Sequence, residues 1–585
     1  MIFDGNIYNK EGVFRAENAK LNFQGHARIH AYVSEEQAKK LQEQGLSALT
    51  KPVSFTQEDW EDRVFVLKEL NLEKSEFYLG RNASLKVENL NAKNSKIDLG
   101  SKNLWIDEKD GGNIIDKTDD YSYGDVTQTG VGKEMAFEQK LQNTQNAKIE
   151  KVYFSGNLNL DHSDATLQNI VFSGNIKGIN DTQKNLMIKD SLLESHIQMS
   201  NLQIEKSAIY GKVDTNKLSA NNTIFKINVD FENSKAEYIN SKESTQGVNN
   251  TLVLNFLNNP SKKEGLNILL AHLKDENKHL RKEFFTIPNV EQGFSTYTPN
   301  VVFSHNEENF AQWNLEKIDS KIKDEYFFTN DNTQAIVKAK SILAQATLGS
   351  MIEWNNMHKR MGELRNNPYE SGAWLRTFGG GTSDEYNSGK YFEIQSGYDK
   401  LNEYSNFELY SGVMINYTNM NLSATDLSAK LNGYGIGQYF SFLFNEGFYS
   451  DFVLRYIYHQ NEVNANFIPG NQGRLDDNDG SHNVILSAEL GYRKAYDKFY
   501  LEPSLEFISG YVGAMDLKGD IASLKRSSYI PLVAKTAFFI GSQNQNLNFR
   551  TGLGLYADLI KTGDQILEDQ ASQRRYEGKK IKECL

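Results

Sequence analysis

The most constraining feature of this sequence is a period of two that starts near Gly372 and continues almost to the C terminus. Runs of about ten residues place large apolar or aromatic side chains on one face and small or charged side chains on the other. In one such run the first face carries Phe452, Leu454, Tyr456 and Tyr458. The second face carries Asp451, Arg455 and His459, with Val453 and Ile457 as exceptions. Alternation of this kind predicts β-strands.

The chemistry of the two faces favours a transmembrane barrel over a soluble sandwich. The apolar face is rich in aromatic residues on consecutive runs, and the opposite face is small or charged, as expected for an outer surface in lipid and a polar lumen. Nine antiparallel strands are predicted, with starts near Gly372, Tyr391, Asn406, Gly433, Phe448, His482, Phe499, Tyr529 and Leu547. Because single-chain bacterial barrels close with an even number of strands, we expect an incomplete barrel. The charged tail after Lys561 shows no alternation and predicts no further strands.

A helix is predicted immediately before the barrel, from Thr333 to Arg365. This stretch lacks proline, and its apolar residues recur at helical spacing: Ala335, Ala339, Ile342, Leu343 and Ala346. The Asn366-Asn367-Pro368 sequence ends the helix, since a residue before proline is disfavoured in helical conformation. At about 1.5 Å per residue the helix spans roughly 50 Å, more than a ~30 Å hydrocarbon core. Its many charges exclude contact with lipid, so we expect it to thread the polar lumen.

The first half of the chain has a different rhythm. Residues 1–250 are short strand-like runs separated by Asn, Asp, Gly and Ser, which return about every ten positions. We predict a right-handed parallel β-helix, the stem of a rod, because stacked rungs share one continuous core. A β-sandwich is the alternative. Residues 251–330 are richer in aromatic and β-branched side chains and are predicted to close the end of the rod. The predicted domains are thus 1–250, 251–330, 331–367 and 368–585.

Composition excludes several functional classes. The formal net charge of -12 argues against nucleic-acid binding. Cys584 is the single cysteine, and the ten histidines show no paired metal-ligand spacing, so we expect no metal and no cofactor. No run approaches 18 consecutive apolar residues, which leaves strands as the route into a bilayer. The start, MIFDGNIYNKEGVF, lacks the pattern of a signal peptide.

The order of rod, helix and barrel resembles the autotransporters of Gram-negative outer membranes. The junction WNNMHKRMGELRNNPYESGAWLRTFGG resembles that of the serine protease autotransporters of enteric bacteria, and GHARIHAYVSEEQAKKL and GFSTYTP resemble their passenger rod and its autochaperone end. The barrel segments NEGFYSDFVLRYIYHQN, FYLEPSLEF and GLGLYADLIKTGD follow in the family order. The resemblance implies type V secretion: the barrel exports its own passenger to the cell surface. A surface-displayed adhesin and the remnant of a secreted serine endopeptidase are the alternatives.

The sequence departs from that family at both ends. The GDSGS nucleophile motif of the family protease domain is absent from these 585 residues. Because that motif is absent, we expect the protease domain to lie upstream. Because the nine predicted strands do not close a barrel, we also expect the last three or so barrel strands to be missing. The resemblance implies outer-membrane lipid, the barrel assembly machinery and periplasmic chaperones as partners, with a host surface component as a further partner and a monomeric barrel. External proteolysis is not predicted for this chain.

The resemblance also implies a self-cleavage site inside the barrel. In the family, the passenger is released when an asparagine side-chain amide attacks its own backbone carbonyl, and the matching bond here is Asn355-Asn356. The strand phase places Asp451, Glu489 and Glu506 on the lumen face, and the resemblance makes them, with Asn355, the catalytic residues. The cations predicted to hold helix and pore together are Lys359, Arg360, Arg365, Arg455 and Arg493.

Overall fold

The computed structural model describes residues 1–3, 5–24, 26–33, 43, 49–50, 56–61, 63–80, 83–100, 102–107, 113–118, 152–179, 184–258, 267–316, 327–355, 371–383, 385–470, 473–496, 499–542 and 550–580. These residues divide into two compact units. The first unit comprises Met1–Val290 and Thr298–Phe328, and the second comprises Glu291–Tyr297 and Thr329–Leu585.

Most of the chain is strand. Before the helix the strands are β1 (Ile2–Phe3), β2 (Ile7–Glu17), β3 (Lys20–Phe23), β4 (His26–Val33), β5 (Leu49–Thr50), β6 (Thr56–Glu61), β7 (Arg63–Glu73), β8 (Glu76–Leu79), β9 (Ala83–Lys93), β10 (Lys96–Gly100), β11 (Lys102–Asp107), β12 (Asn113–Thr118), β13 (Val152–Asp161), β14 (Asp164–Gln168), β15 (Ile170–Ser173), β16 (Ile176–Ile179), β17 (Asn185–Lys189), β18 (Leu192–Glu194), β19 (Ile197–Glu205), β20 (Ala208–Tyr210), β21 (Val213–Asn221), β22 (Ile224–Asp230), β23 (Lys235–Ala236), β24 (Ile239–Val248), β25 (Asn250–Phe256), β26 (Asn267–Lys274), β27 (Phe285–Thr286), β28 (Val290–Gln292), β29 (Ser295–Pro299), β30 (Val301–His305), β31 (Phe310–Glu316) and β32 (Phe327–Asp331).

A short 3-10 helix occupies Lys282–Phe284, and the α-helix α1 occupies Thr333–Asn355. The later strands are β33 (Ser371–Ser383), β34 (Ser388–Glu403), β35 (Phe407–Ala424), β36 (Leu427–Phe444), β37 (Phe448–Ala465), β38 (Leu475–Tyr492), β39 (Lys494–Ala495), β40 (Phe499–Val512), β41 (Met515–Lys518), β42 (Ala522–Arg526), β43 (Leu532–Ser542), β44 (Arg550–Asp558), β45 (Gln565–Asp569) and β46 (Gln573–Tyr576). Among the described residues, no helix combines the length and the apolar character needed to cross a membrane.

The first unit is a stack of parallel rungs. Successive rungs place apolar side chains directly above one another in register, and one such column consists of Leu70, Leu90, Leu158, Ile176, Ile197, Val213 and Ile239. All of these residues are buried. Because strands from successive rungs pair in parallel, the β-helix prediction is confirmed and the sandwich alternative is wrong.

The polar corners of the rungs have a recurring structure. A residue with positive φ, between 46° and 50°, precedes a Ser or Thr at the corners that contain Lys74, Asn94, His162, Asp190, Lys206 and Asn222. At one corner, Ser95 Oγ donates to the carbonyl of Lys93 at 2.8 Å and accepts from the backbone N–H of Ser75 at 3.0 Å. The N–H of Ser95 in turn donates to Ser163 Oγ at 2.9 Å. Buried serine hydroxyls thus connect one rung to the next where the chain turns.

The far end of the rod is closed by an antiparallel arrangement. Strand β26 pairs antiparallel with β31, and β31 pairs antiparallel with β30. Trp313 is fully buried there, with its ring centroid 5.1 Å from that of Phe285 and 4.7 Å from that of Phe303. A change from parallel to antiparallel pairing with a large aromatic core covers the face that an end rung leaves open.

The second unit contains an antiparallel sheet in which each long strand pairs with the next one along the chain. The order is β33-β34-β35-β36-β37-β38-β40-β43-β44, and the two-residue strand β39 pairs with β40. These nine long strands are the nine that the alternation predicts. In the part of the chain that the structure describes, β33 and β44 do not pair, so the sheet is open. The fold prediction of an incomplete antiparallel barrel is confirmed.

The two faces of the sheet follow the predicted phase. Leu454 on the outer face is 51% exposed, whereas Asp451 on the inner face is 2% exposed. Glu489 and Glu506 are likewise buried, and Leu490 and Leu505 beside them are exposed. The side chains that the pattern assigns to lipid therefore form an uncovered apolar surface.

Helix α1 begins at Thr333, where the sequence places its start. Asn332 Oδ1 accepts from the N–H of Ala335 at 3.2 Å, which caps the N terminus. The helix buries Ala335, Ile336, Ala339, Ile342, Leu343 and Ala346 in one core with Met420, Leu431, Val463 and Leu475 of the sheet. The predicted apolar stripe is thus the face that packs.

A second, small sheet lies in this unit and was missed by the sequence pattern. Strands β41, β42, β45 and β46 pair in that order, and the last two come from the charged tail. The prediction of no strands in the tail is wrong for these residues. These strands are only four or five residues long, so they produce no long alternating run in the sequence.

Candidate functional site on the inner face of the sheet

Three predicted catalytic carboxylates lie in one row across the sheet. Asp451 of β37 is directly opposite Glu489 of β38, and Glu489 is directly opposite Glu506 of β40. Neighbouring strands are about 4.8 Å apart, so the three carboxyl groups are consecutive neighbours on the inner face. They are 2%, 2% and 3% exposed. We refer to Asp451, Glu489 and Glu506 as the acidic row.

Each member of the acidic row has a hydrogen-bond donor from the wall of the sheet. Ser441 Oγ donates to Asp451 Oδ1 at 2.6 Å, and Tyr449 Oη donates to Glu489 Oε1 at 3.2 Å. Ser487 Oγ donates to Glu506 Oε1. The register places Lys535 opposite Glu506. Donors at these positions satisfy buried acceptors and fix the side-chain rotamers.

The two predicted arginines on this face pair with acids that were not among the predicted site residues. Arg455 lies 3.7 Å from Glu393 Oε1, and both side chains are almost completely buried. Arg493 lies 2.7 Å from Glu502 Oε2, and Arg550 lies 2.6 Å from Glu502 Oε1. Buried charges of opposite sign compensate the desolvation of each other. The arginines therefore have partners in the sheet itself.

Glu393 and Glu502 could have been found from the sequence. Glu393 shares its face of β34 with Gln395 and Asp399, while Phe392 and Tyr398 alternate with them and are exposed. Glu502 shares the phase of Glu506 in β40. The signal was the period of two, which assigns a face to every residue of a strand. The period of two does not give the strand register that brings Glu393 close to Arg455.

The predicted scissile bond lies at the limit of the described residues. Asn355 is the last residue of α1, and its side chain is outside the described part of the chain. The predicted partners Asn356, Lys359, Arg360 and Arg365 also lie outside the described residues. The approach of Asn355 to the acidic row stays a prediction.

A second polar cluster in the same unit links the tail hairpin to the segment 291–297. Asp569 Oδ2 accepts from the N–H of Phe294 at 2.8 Å and from Ser295 Oγ at 2.7 Å. Arg574 lies 3.2 Å from the same carboxylate and donates to Ser295 Oγ at 2.7 Å. It also pairs with Asp331. We refer to Ser295, Asp331, Asp569 and Arg574 as the tail cluster.

The surroundings of Arg574 stabilise its charged form. Burial alone lowers the pKa of this guanidinium, but the hydrogen bond to Asp331 and the charge of Asp569 outweigh it and raise the pKa above its ordinary value. Both carboxylates therefore face a permanent cation.

Two protein-family models match the chain. The autotransporter β-domain matches residues 371–525, and the second β-solenoid repeat region of the PIC/HAP1/IgA0 type matches residues 1–186. The first match covers the strands that carry the acidic row, and the second covers the parallel rungs. The chain thus combines a β-solenoid region with an autotransporter β-domain.

Several curated proteins are similar to this chain over all or part of its length. The chain is 26% identical over its whole length to the serine protease SepA autotransporter of Shigella flexneri, with 50% of that protein covered. It is 24% identical over its whole length to the serine protease EspC of Escherichia coli O127:H6, with 56% covered. It is 30% identical to the serine protease EspP of Escherichia coli O157:H7 over 60% of this chain and 26% of that protein. The resemblance to serine protease autotransporters extends over the whole sequence.

The chain spans about half the length of the curated relatives that it matches along its whole length. The solved translocator domain of NalP from Neisseria meningitidis covers 40% of this chain at 12% identity and a TM-score of 0.33, with 91% of that structure matched. The β-domain places this chain in the outer membrane, with its passenger at the cell surface or secreted.

Proposed function

We propose that this chain exports its own β-helical passenger and releases it by intramolecular cleavage between Asn355 and Asn356. The sheet of the second unit contacts outer-membrane lipid through its apolar face, and the helix passes along its polar face. The passenger reaches the cell surface, where the rod folds. In this proposal the barrel acts as a monomer and uses the barrel assembly machinery and periplasmic chaperones.

The observation that carries this proposal is the buried acidic row. In the reaction, the side-chain nitrogen of Asn355 attacks the carbonyl carbon of its own peptide bond and forms a succinimide. The bond to the nitrogen of Asn356 breaks, and that nitrogen leaves as a free amine. The side-chain amide loses a proton and the leaving amine gains one, so no external nucleophile is required. A row of positioned carboxylates is suited to accepting the first proton and delivering the second.

The proposal is tested with Asn355→Asp and Asp451→Asn in the chain exported behind a signal peptide in a Gram-negative host. Positioned acid–base groups contribute about 10²- to 10⁴-fold, so we expect passenger release to fall by at least about 10² in Asp451→Asn. Release is measured by separating medium from cells and detecting the passenger by size. Asp476→Asn, which changes an exposed carboxylate, is the matched control.

Barrel assembly is measured in the same samples by heat-dependent electrophoretic mobility. Wild-type release from a correctly assembled Asp451→Asn variant contradicts the catalytic role of the row. A passenger that stays on the cell in the wild type favours the alternative of a surface-displayed adhesin that binds a host component. The peptidase activity in the names of the relatives is proposed only for a gene product that also contains a protease domain, since this chain lacks the GDSGS motif.

A further inference from the structure

A small cavity lies between helix α1 and the sheet, away from the acidic row. Its volume is about 20 Å³, more than the ~10–15 Å³ that one water molecule requires. Its lining includes Ala346 of the helix together with Thr418, His459, Asn461, Ser481 and Arg526. All of these residues belong to the second unit. The sheet supplies polar groups to this lining, alongside the apolar side chains of Met420 and Leu431.

Arg526 brings a positive charge to this cavity. Its guanidinium donates to the carbonyl of Gly513 at 2.8 Å and to Thr347 Oγ1 at 3.3 Å, and the residue is 3% exposed. Within the described residues no carboxylate forms an ion pair with it, and its Nε has no hydrogen-bond partner. Asp479, an acid in its vicinity, accepts from the N–H of Asp516. A buried cation without a carboxylate partner is costly unless an anion compensates it.

Thr418 adds a second unpartnered group to the same cavity. Its side chain is buried on the inner face of β35, and its Oγ1 has no hydrogen-bond partner in the described part of the chain. Buried hydroxyls are almost always hydrogen-bonded. A hydroxyl can donate to an anion, and so can a guanidinium N–H. Two independent donors therefore line one cavity of the right size for a small ligand.

We propose that this cavity binds a monovalent, monatomic anion of the size of chloride. The anion accepts from Arg526 and Thr418, and Ser481 and Asn461 complete its polar surroundings. Because Arg526 also donates to Thr347 of α1, the bound anion stabilises the cation that joins the helix to the sheet. The site is separate from the self-cleavage chemistry, so this inference stands or falls independently of the proposed function.

The experiment uses bromide, which replaces chloride and scatters X-rays anomalously. Crystals of the detergent-solubilised chain are grown in sodium bromide, and we expect an anomalous peak in the cavity beside Arg526. In parallel, thermal unfolding is compared in chloride and in gluconate at equal ionic strength, since gluconate is too large for the cavity. Binding to the folded state predicts an unfolding temperature about 2–4 °C higher in chloride.

Variants separate specific binding from a general salt effect. The difference between the two salts should disappear in Arg526→Met and shrink in Thr418→Val, and it should persist in Arg474→Met, which removes an exposed arginine. The comparison between salts is made within each variant, so a change in its overall stability does not affect the result. A cavity that contains only water, or a salt difference that Arg526→Met retains, overturns the proposal.

Discussion

At the scale of single residues, Asp275 shows how a buried carboxylate can secure the closed end of the rod. It accepts from the backbone N–H groups of His279 at 2.9 Å and Leu280 at 2.8 Å, and from His305 Nε2 at 2.9 Å. Burial raises the pKa of this carboxyl, but the hydrogen bonds from His305 and the two N–H groups outweigh burial and lower the pKa below its ordinary value. The charged form is therefore the one that the fold stabilises.

This pKa shift predicts a loss of stability in acid. Because the folded pKa lies below the unfolded value, the contribution of Asp275 is complete above the ordinary pKa near 3.8 and is lost as the pH falls through the folded pKa. We expect Asp275→Asn to destabilise the rod by about 1–3 kcal/mol at pH 7 and to weaken its acid sensitivity. Urea unfolding at pH 7 and pH 3 measures both effects. Glu276→Gln changes the exposed neighbouring carboxylate and should behave as the wild type.

Individual site residues were predictable where a single face assignment sufficed. The buried positions of Asp451, Glu489 and Glu506 follow from the alternation of inward and outward side chains along β37, β38 and β40. The partners of Arg455 and Arg493 were not predictable in this way, because each pairing depends on strand register and on the reach of a long side chain. Arg526 Nε and Thr418 Oγ1, the cavity groups without a hydrogen-bond partner among the described residues, were not predictable either. Their surroundings depend on how α1 packs against the sheet.

At the scale of elements, the serine corners explain why polar turn residues recur in the first half of the sequence. Each serine hydroxyl at these corners bonds within its own rung and accepts a backbone N–H from the adjacent rung, and the serines concerned are Ser75, Ser95, Ser163, Ser191 and Ser207. The recurrence of Asn, Asp and Ser was sufficient to predict the rungs. The positive φ before each serine was not specified by residue type, since Lys74 and Lys206 adopt it as well as Asn94.

Removing one corner hydroxyl should weaken the stack locally. Ser95→Ala leaves the N–H of Ser75 without its acceptor, and an unsatisfied buried donor costs about 1–3 kcal/mol. Hydrogen exchange should become faster at Ser75 and in the two rungs that meet there, and stay unchanged near Trp313. Ser244→Ala, at an exposed strand position, is the control. Equal protection of Ser75 in the variant and the wild type would contradict the role of the hydroxyl.

At the scale of the whole molecule, the outward apolar face of the sheet accounts for membrane insertion. Leu454, Leu490 and Leu505 are exposed on neighbouring strands, although a large apolar patch is uncommon on a soluble monomer. This face was the most predictable property of the chain, because its period of two extends over all the long strands. The tail cluster was the least predictable, since it joins residues far apart in sequence and its hairpin lacks a periodic pattern.

A charge on the lipid-facing surface should oppose insertion. Arginine at the bilayer midplane of a barrel costs about 2–4 kcal/mol, so we expect Leu454→Arg to reduce the fraction of chain that assembles in the outer membrane. Leu454→Met, which keeps the surface apolar, should assemble as the wild type does. The measurement is the urea-resistant, heat-modifiable fraction in purified outer membranes. Equal assembly of the two variants would argue that this face does not contact lipid.

The tail cluster also has a consequence for the order of folding. Ser295 bonds to Asp569, 274 positions later, whereas the hydroxyl of Ser95 reaches a residue only 20 positions away. Long-range contacts of this kind form slowly because a large loop must close first, while rungs can be added one after another. The rod can therefore gain structure one rung after another, whereas the contacts of Phe294 and Ser295 form only once the hairpin of β45 and β46 has docked.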